Sequence, residues 1–240
     1  MALEETFEHF ETAEGVNPSV VLTCEHASQR LPDGWSWPEA DRRLYNTHWA
    51  YDLGAADITR RLAAKMGVPA RLSHFSRLLV DPNRDLDSPT LFRPDAEGEP
   101  IELNRSIDDE ERERRLVYYR GYHDAVEGMV EAHPSAEVIF AIHSFTPLYE
   151  GAPRHFDLGV LFDGDEALGE ALGEHLSSVC STRLNEPYSG KLGLVFCADK
   201  HAREHGRQAV EIEVRQDLAE DHAFVVRLVE ALAAFEWRAR

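Results

Sequence analysis

The residues best suited to chemistry are two histidines and a pair of glutamates, all near the ends of apolar runs. His26 follows the run 20–23, His143 stands near the end of Val138–Phe145 (VIFAIHSF), and Glu211 and Glu213 alternate with apolar residues over 209–214. Short apolar runs read as buried strands, and open α/β sheets collect ligands and catalytic groups at the carboxyl ends of their strands. Neutral imidazole suits zinc, and a catalytic zinc site has three protein ligands and one open position. His26 and His143 are therefore expected metal ligands, with Asp52, His48 and Glu25 as candidates for the third. Taken singly, each histidine also reads as a hydrogen-bonded structural residue. Glu211 and Glu213 share one strand face. Carboxylates inside a strand covered on both sides are costly unless used, and one of them could deprotonate a water. Arg77, Arg84 and Arg215 each fall close to a strand end. A guanidinium holds a carboxylate through two parallel hydrogen bonds, so these residues, if gathered, make an anion site; singly, they read as surface ion pairs.

Such a site needs a sheet with helices over it, and the pattern supplies both. The stretches 20–23, 70–72, 78–80, 138–145, 156–162 and 209–214 read as strands. Helical spacing of apolar residues marks 41–66 (Leu53, Ala56, Ile58, Leu62, Met66), placing His48 and Asp52 four apart on one face. A second helix runs from a cap at Ser106 or Asp108 to about Glu131 and carries His123, read as a satisfied structural histidine. Further helices are expected over 166–180 and 217–237. The polar, Pro-rich stretch 85–103 reads as a functional loop. Alternating strands and helices without an internal repeat predict one α/β domain, a three-layer αβα sandwich with a mostly parallel central sheet, over 18–240. Residues 1–17 read as a loosely attached acidic leader.

Composition excludes some partners. The chain has 240 residues, 25 Lys+Arg against 44 Asp+Glu and a net charge of −19, which opposes binding to nucleic acid. No apolar run approaches the roughly 20 residues of a membrane span. The acidic N-terminus lacks the features of a signal peptide, so a cytoplasmic location is expected. The three cysteines, Cys24, Cys180 and Cys197, show no CxxC spacing, which suggests neither a disulfide framework nor a thiolate zinc site. Cys24 reads as a small buried strand-end residue.

Six stretches, CEHAS, THWAYDLGA, FSRLLVDPNR, AIHSF, NEPYSG and EIEVRQDL, in this order from about Val20 to Leu218, resemble the N-formylglutamate amidohydrolase family. That family is similar in fold to the zinc carboxypeptidases. The resemblance implies that His26 and His143 hold one zinc, or another divalent ion, and that Glu213 rather than Glu211 is the catalytic base. It implies a substrate carboxylate bound by Asn83 and Arg84. The carboxypeptidase glutamate three residues after the first histidine is here Gln29, so Asp52 or His48, in the His-x-x-x-Asp stretch, stands in as third ligand. The implied reaction removes a formyl or other small acyl group from the nitrogen of an acidic amino acid. Arg77 would face the oxyanion, and Tyr188 would act as a lid or hydrogen-bond donor. A related zinc peptidase or acyl-amino-acid hydrolase, and a degenerate member that only binds an anionic amino acid, are the alternatives.

Overall fold

The computed structural model describes residues 6–149 and 151–239. Seven strands form the central sheet: β1 (Phe7–Phe10), β2 (Val20–Cys24), β3 (Ala70–Ser73), β4 (Val138–Phe145), β5 (Leu158–Leu161), β6 (Thr182–Leu184) and β7 (Gln208–Arg215). Their order is β1-β3-β2-β4-β7-β5-β6. The central pairs β3–β2, β2–β4 and β4–β7 are parallel, and β5–β6 is parallel as well. The pairs β1–β3 and β7–β5 are antiparallel. The helices are α1 (Ala55–Met66), α2 (Asp109–Ala132), α3 (Glu166–Leu176), α4 (Phe196–His205), α5 (Gln216–Ala219) and α6 (His222–Ala234). None of the described helices is long and apolar enough to cross a membrane.

Alternation along the strands splits the core in two. Leu22, Phe140, Ile142 and Ile212 pack under α1, α3 and α6. Val21, Ile139, Ala141 and Ala209 pack under α2 and α4. A mostly parallel sheet between two helical layers is the αβα sandwich expected. Both faces of β4 are covered, which is why all eight of its residues are buried and read as an unbroken apolar run. Asp108 caps α2 by accepting from the Glu111 N–H at 2.8 Å, and three acidic residues in its first turn complement the helix dipole.

Several boundaries differ from the sequence reading. Residues 41–66 are not one helix: a 3-10 turn covers Glu39–Leu44, irregular chain follows, and α1 begins only after Gly54. Gly54 has φ +80°, and a β-carbon there would collide with the Ala219 carbonyl, so the chain must turn at this residue before it can wind. Residues 78–80 lie in a turn rather than a strand. The acidic leader is only partly loose. Phe7–Phe10 is the antiparallel edge strand beside β3, although residues 1–5 lie outside the described residues. The 217–237 helix is broken into α5 and α6, because Asp221 caps a fresh start by accepting from the Phe224 N–H at 2.7 Å.

Candidate active site

Parallel pairing of β4 with β7 sets Glu213 directly beside His143 and Glu211 beside Ala141. Period-two alternation then puts His143, Glu211 and Glu213 on one sheet face, the one covered by α2 and α4. His26 lies two residues beyond β2, the next strand over. Asp52 comes from the irregular segment before α1, where its N–H donates to the His26 carbonyl at 2.9 Å. That bond ties the two segments together and swings the Asp52 carboxylate under the sheet end. All five side chains are at most 6% exposed.

One oxygen is the focus. Asp52 Oδ2 lies 2.8 Å from His143 Nδ1 and 3.4 Å from His26 Nδ1, and the three side chains form a group able to hold a metal ion. The outer nitrogen of each ring faces another buried carboxylate. His26 Nε2 is 2.7 Å from Asp81 Oδ1, and His143 Nε2 is 2.8 Å from Glu25 Oε2. Metal-binding histidines ordinarily donate their second N–H to a carboxylate or carbonyl, which fixes the tautomer and raises ligand basicity. A metal-bound imidazole is neutral with one N–H; donated from Nε2 to Asp81 and Glu25, it would leave both Nδ1 lone pairs for an ion beside Asp52, whereas without an ion, and against the effect of burial, Glu211, Asp52 and Glu25 raise the His143 pKa well above its ordinary value. That donor set, two nitrogens and a carboxylate oxygen, fits a divalent ion such as zinc.

Charge balance agrees. Glu25, Asp52, Asp81, Glu211 and Glu213 are all buried here, against Arg77 and the two histidines. Burial alone raises a carboxyl pKa. For Asp52 the histidines reverse this and hold it below the usual range. For Glu25 the hydrogen bond to His143 takes it to about 2. Asp81 is held down by Arg77 and His26. For Glu211 burial wins: with Glu25 and Asp52 also near, it outweighs the pull of His143 and pushes the carboxyl up to about 7. Glu213 is pushed well above the usual range by burial and by Asp52, and its Oε2 is buried without a hydrogen-bond partner among the described residues. Burial of the Cys24 thiol pushes it up to about 12, which leaves it an inert neighbour of the site.

These groups open into a cavity of about 150 Å³, room for an amino-acid-sized molecule. His26, Asp52, His143, Glu211 and Glu213 form its floor; Arg77, Asn83, Arg84, Arg93 and Tyr188 are among its walls. Arg77 Nη2 donates to Asp81 at 2.8 Å, and its Nη1 is 3.5 Å from Asp52. Arg84 donates to the Asn83 carbonyl and the Thr90 hydroxyl, and Arg93 donates to the Asp95 carbonyl. Arg93 lies over the Trp49 ring at 4.7 Å. Neither Arg84 nor Arg93 has a carboxylate partner among the described residues. Arg93 went unnoticed in the sequence because it sits in the polar 85–103 connection, with no flanking pattern. The Asn83 side chain accepts from the Cys197 N–H and donates to the Leu194 carbonyl, holding the start of α4 against the cavity.

Three sequence candidates are placed otherwise. His48 lines the cavity but does not join the group formed by His26, Asp52 and His143. The irregular chain at 45–54 breaks the helical face it was to share with Asp52. Arg215 is not at the cavity: Asp217 and Asp157 hold its guanidinium at 2.7 and 3.1 Å. Antiparallel pairing of β5 with β7 sets Asp157 beside it, so its partners are structural. Glu25, weighed as a third ligand, instead holds the outer nitrogen of His143. Gln29 bonds Asn46, away from the metal group.

Comparison with known proteins bears on the fold and the family. A gene product of Agrobacterium tumefaciens is similar in structure, with TM-score 0.85 and 29% identity over 95% of this chain and 92% of that one. An N-formylglutamate amidohydrolase from Ralstonia eutropha JMP134 shares the fold, with TM-score 0.64 and 20% identity over 95% and 94%. A cell shape determinant protein of Helicobacter pylori, solved with a bound tripeptide, shares it more distantly, with TM-score 0.50 and 11% identity over 98% of this chain and 58% of that one. None of the curated proteins matches the chain. The family model for N-formylglutamate amidohydrolase matches residues 18–219. The chain therefore belongs to the N-formylglutamate amidohydrolase family, and is a hydrolase acting on an amide.

Proposed function

We propose that the protein is a zinc-dependent amidohydrolase that removes a small acyl group, typically formyl, from the nitrogen of an acidic amino acid such as N-formyl-L-glutamate. The observation that carries this reading is the convergence of His26 Nδ1 and His143 Nδ1 on Asp52 Oδ2, next to a buried glutamate with an unpartnered oxygen. His26, His143 and Asp52 hold the ion. An ion such as zinc held there would supply Lewis acidity and lower the pKa of a water to about 7. Glu213 takes a proton from the attacking water and returns it to the leaving amine nitrogen. The carbonyl carbon gains an oxygen, the C–N bond breaks, and formate and the free amino acid result. Arg77, steadied by Asp81, offers its remaining N–H groups to the charge that develops on the carbonyl oxygen.

Substrate charge is the second half of the reading. Arg84 and Arg93 face the cavity without carboxylate partners in a chain of net charge −19, so they favour an anionic ligand. Arg84 is assigned the α-carboxylate. Tyr188, whose hydroxyl accepts from Arg154 at 3.3 Å, closes one wall. The free thiols Cys24, Cys180 and Cys197 favour a reducing compartment, and the cytoplasm is the location proposed. The test combines elemental analysis of the purified protein with a hydrolysis screen over N-acyl amino acids. Stoichiometric zinc with turnover of N-formylglutamate is expected. A protein that binds N-acyl acidic amino acids but hydrolyses none would sink the proposal.

A further inference from the structure

A second set of donor side chains is enclosed in the core outside the catalytic cavity. His123 on α2 and Cys197 and His201 on α4 are buried, and each offers a ligand atom within 4.8 Å of the other two. Cys197 and His201 are four residues apart and share one face of α4. His123 Nε2 lies 3.0 Å from the Pro82 carbonyl, so this nitrogen carries the proton. The lone pair of Nδ1 then faces His201 Nε2 at 2.9 Å. Burial lowers the pKa of His123 to about 4 and of His201 to about 3, so both rings are neutral at neutral pH.

Without an ion this arrangement ends badly. His201 Nε2–H must donate to His123 Nδ1, which leaves His201 Nδ1 as a bare acceptor. That atom is buried with no hydrogen-bond partner among the described residues, and the Glu204 carboxylate 3.8 Å from it is another acceptor. Ligation of Nε2 moves the His201 proton to Nδ1, where Glu204 faces it. The His123 ring then has the outward N–H acceptor that metal-bound imidazoles ordinarily have, the Pro82 carbonyl at 3.0 Å, and the Glu204 carboxylate, 3.8 Å away, would have to move closer to serve His201.

We propose that His123 Nδ1, Cys197 Sγ and His201 Nε2 form a second metal site, for a thiophilic divalent ion such as zinc. Sulfur with two imidazoles selects such ions over magnesium or calcium. On binding, the Cys197 S–H loses its proton to solvent, the sulfur–metal bond forms, and one proton is released per ion. Enclosed ligands make the site structural. It joins α2 and α4 to the turn at 81–84, since Pro82 accepts from His123 and Asn83 Oδ1 accepts from the Cys197 N–H at 2.9 Å. It shares no ligand with His26, Asp52 and His143, although Glu25, which holds the outer nitrogen of His143, is also the hydrogen-bond partner of the Cys197 thiol.

Cobalt separates the two sites, because only this one offers sulfur. The full-length protein, stripped of metal and titrated with Co²⁺ under reducing conditions, is expected to bind two equivalents and to develop a thiolate-to-cobalt charge-transfer band. Cys197→Ser should abolish the band and reduce binding to one equivalent. His143→Ala should also reduce binding to one equivalent and keep the band. Wild-type protein without the band, or a band that survives Cys197→Ser, overturns the proposal. The first outcome is read on the wild type, so a variant that fails to fold does not protect the idea.

Discussion

Replacing Glu213 with glutamine separates proton transfer from everything else the site does. Glu213 is 6% exposed, and its Oε2 makes no hydrogen bond among the described residues. A nearly isosteric amide at that atom breaks no existing bond there and leaves His26, Asp52 and His143 in place. Fold, zinc content and KM are therefore expected to hold, while the amide cannot accept a proton. General-base catalysis contributes a factor of about 10²–10⁴. At 1.36 kcal/mol per tenfold, that is roughly 3–5 kcal/mol of barrier. A fall in kcat with KM unchanged is the signature of an interaction made only in the transition state. The assay is release of glutamate from N-formyl-L-glutamate, with zinc per chain measured on the same sample. Glu211→Gln is the control on the same strand face. Glu211 Oε2 is 3.6 Å from His143 Nε2, which Glu25 already approaches at 2.8 Å, so its loss should cost less than about tenfold. A Glu213→Gln enzyme that binds zinc and keeps kcat within about tenfold of the parent refutes the reasoning. The reverse pattern across the two variants would hand the base to Glu211.

Arg84→Ala should raise KM for N-formylglutamate on the order of 10–100-fold, by loss of a charged pair worth about 2 kcal/mol or more; an unchanged KM would remove Arg84 from the substrate. Arg215→Ala should leave KM alone and cost about 1 kcal/mol or less of stability, read by urea denaturation, because its partners Asp157 and Asp217 are structural. Gly159→Ala should lower the Tm and kcat/KM together. A β-carbon there collides with the Glu186 carbonyl, at an overpacking cost of about 1–3 kcal/mol, and displaces the segment that carries Tyr188. A wild-type Tm would show that the segment yields freely. Native protein treated with iodoacetamide at about pH 8 should be alkylated at half-buried Cys180 alone, by mass spectrometry. Burial puts the Cys24 pKa at about 12, so its thiolate fraction is negligible below that range and grows only as pH rises toward it, while Cys197 is fully enclosed. Rapid labelling of Cys24 would contradict its burial.

The parts of the site legible in the sequence are those written along single strands. β4 showed as an unbroken apolar run because both its faces are covered, and Glu211 and Glu213 showed as carboxylates out of keeping with a buried strand. Their alignment with His143 is a property of the β4–β7 ladder and had to be seen. Asp52 was one of three open candidates, since the backbone bond to the His26 carbonyl that selects it joins residues 26 apart. The helical spacing of Leu53 to Met66 was real for α1, but it was carried back across Gly54, where positive φ stops it. Arg215 misled because closeness to a strand end says nothing about which carboxylates are waiting there. Helix α4 was missed: its FCADKHAREH sequence meets the core through cysteine and alanines rather than large apolar side chains. Its Cys-x-x-x-His spacing was the available signal.

The turn Asp81-Pro82-Asn83-Arg84 gives four consecutive residues four different attachments. Asp81 grips the outer nitrogen of His26, the Pro82 carbonyl accepts from His123, Asn83 anchors α4, and Arg84 faces the cavity. Consecutive peptide units are too stiff to move one of these without the others. A change in this turn that suited a new substrate carboxylate would therefore also disturb His26, the proposed metal ligand. Relatives that acquire new substrates should change first at Trp49, Arg93 and Tyr149, which line the cavity and lie outside this turn. The layout thus divides the pocket into an inherited half and an adaptable half.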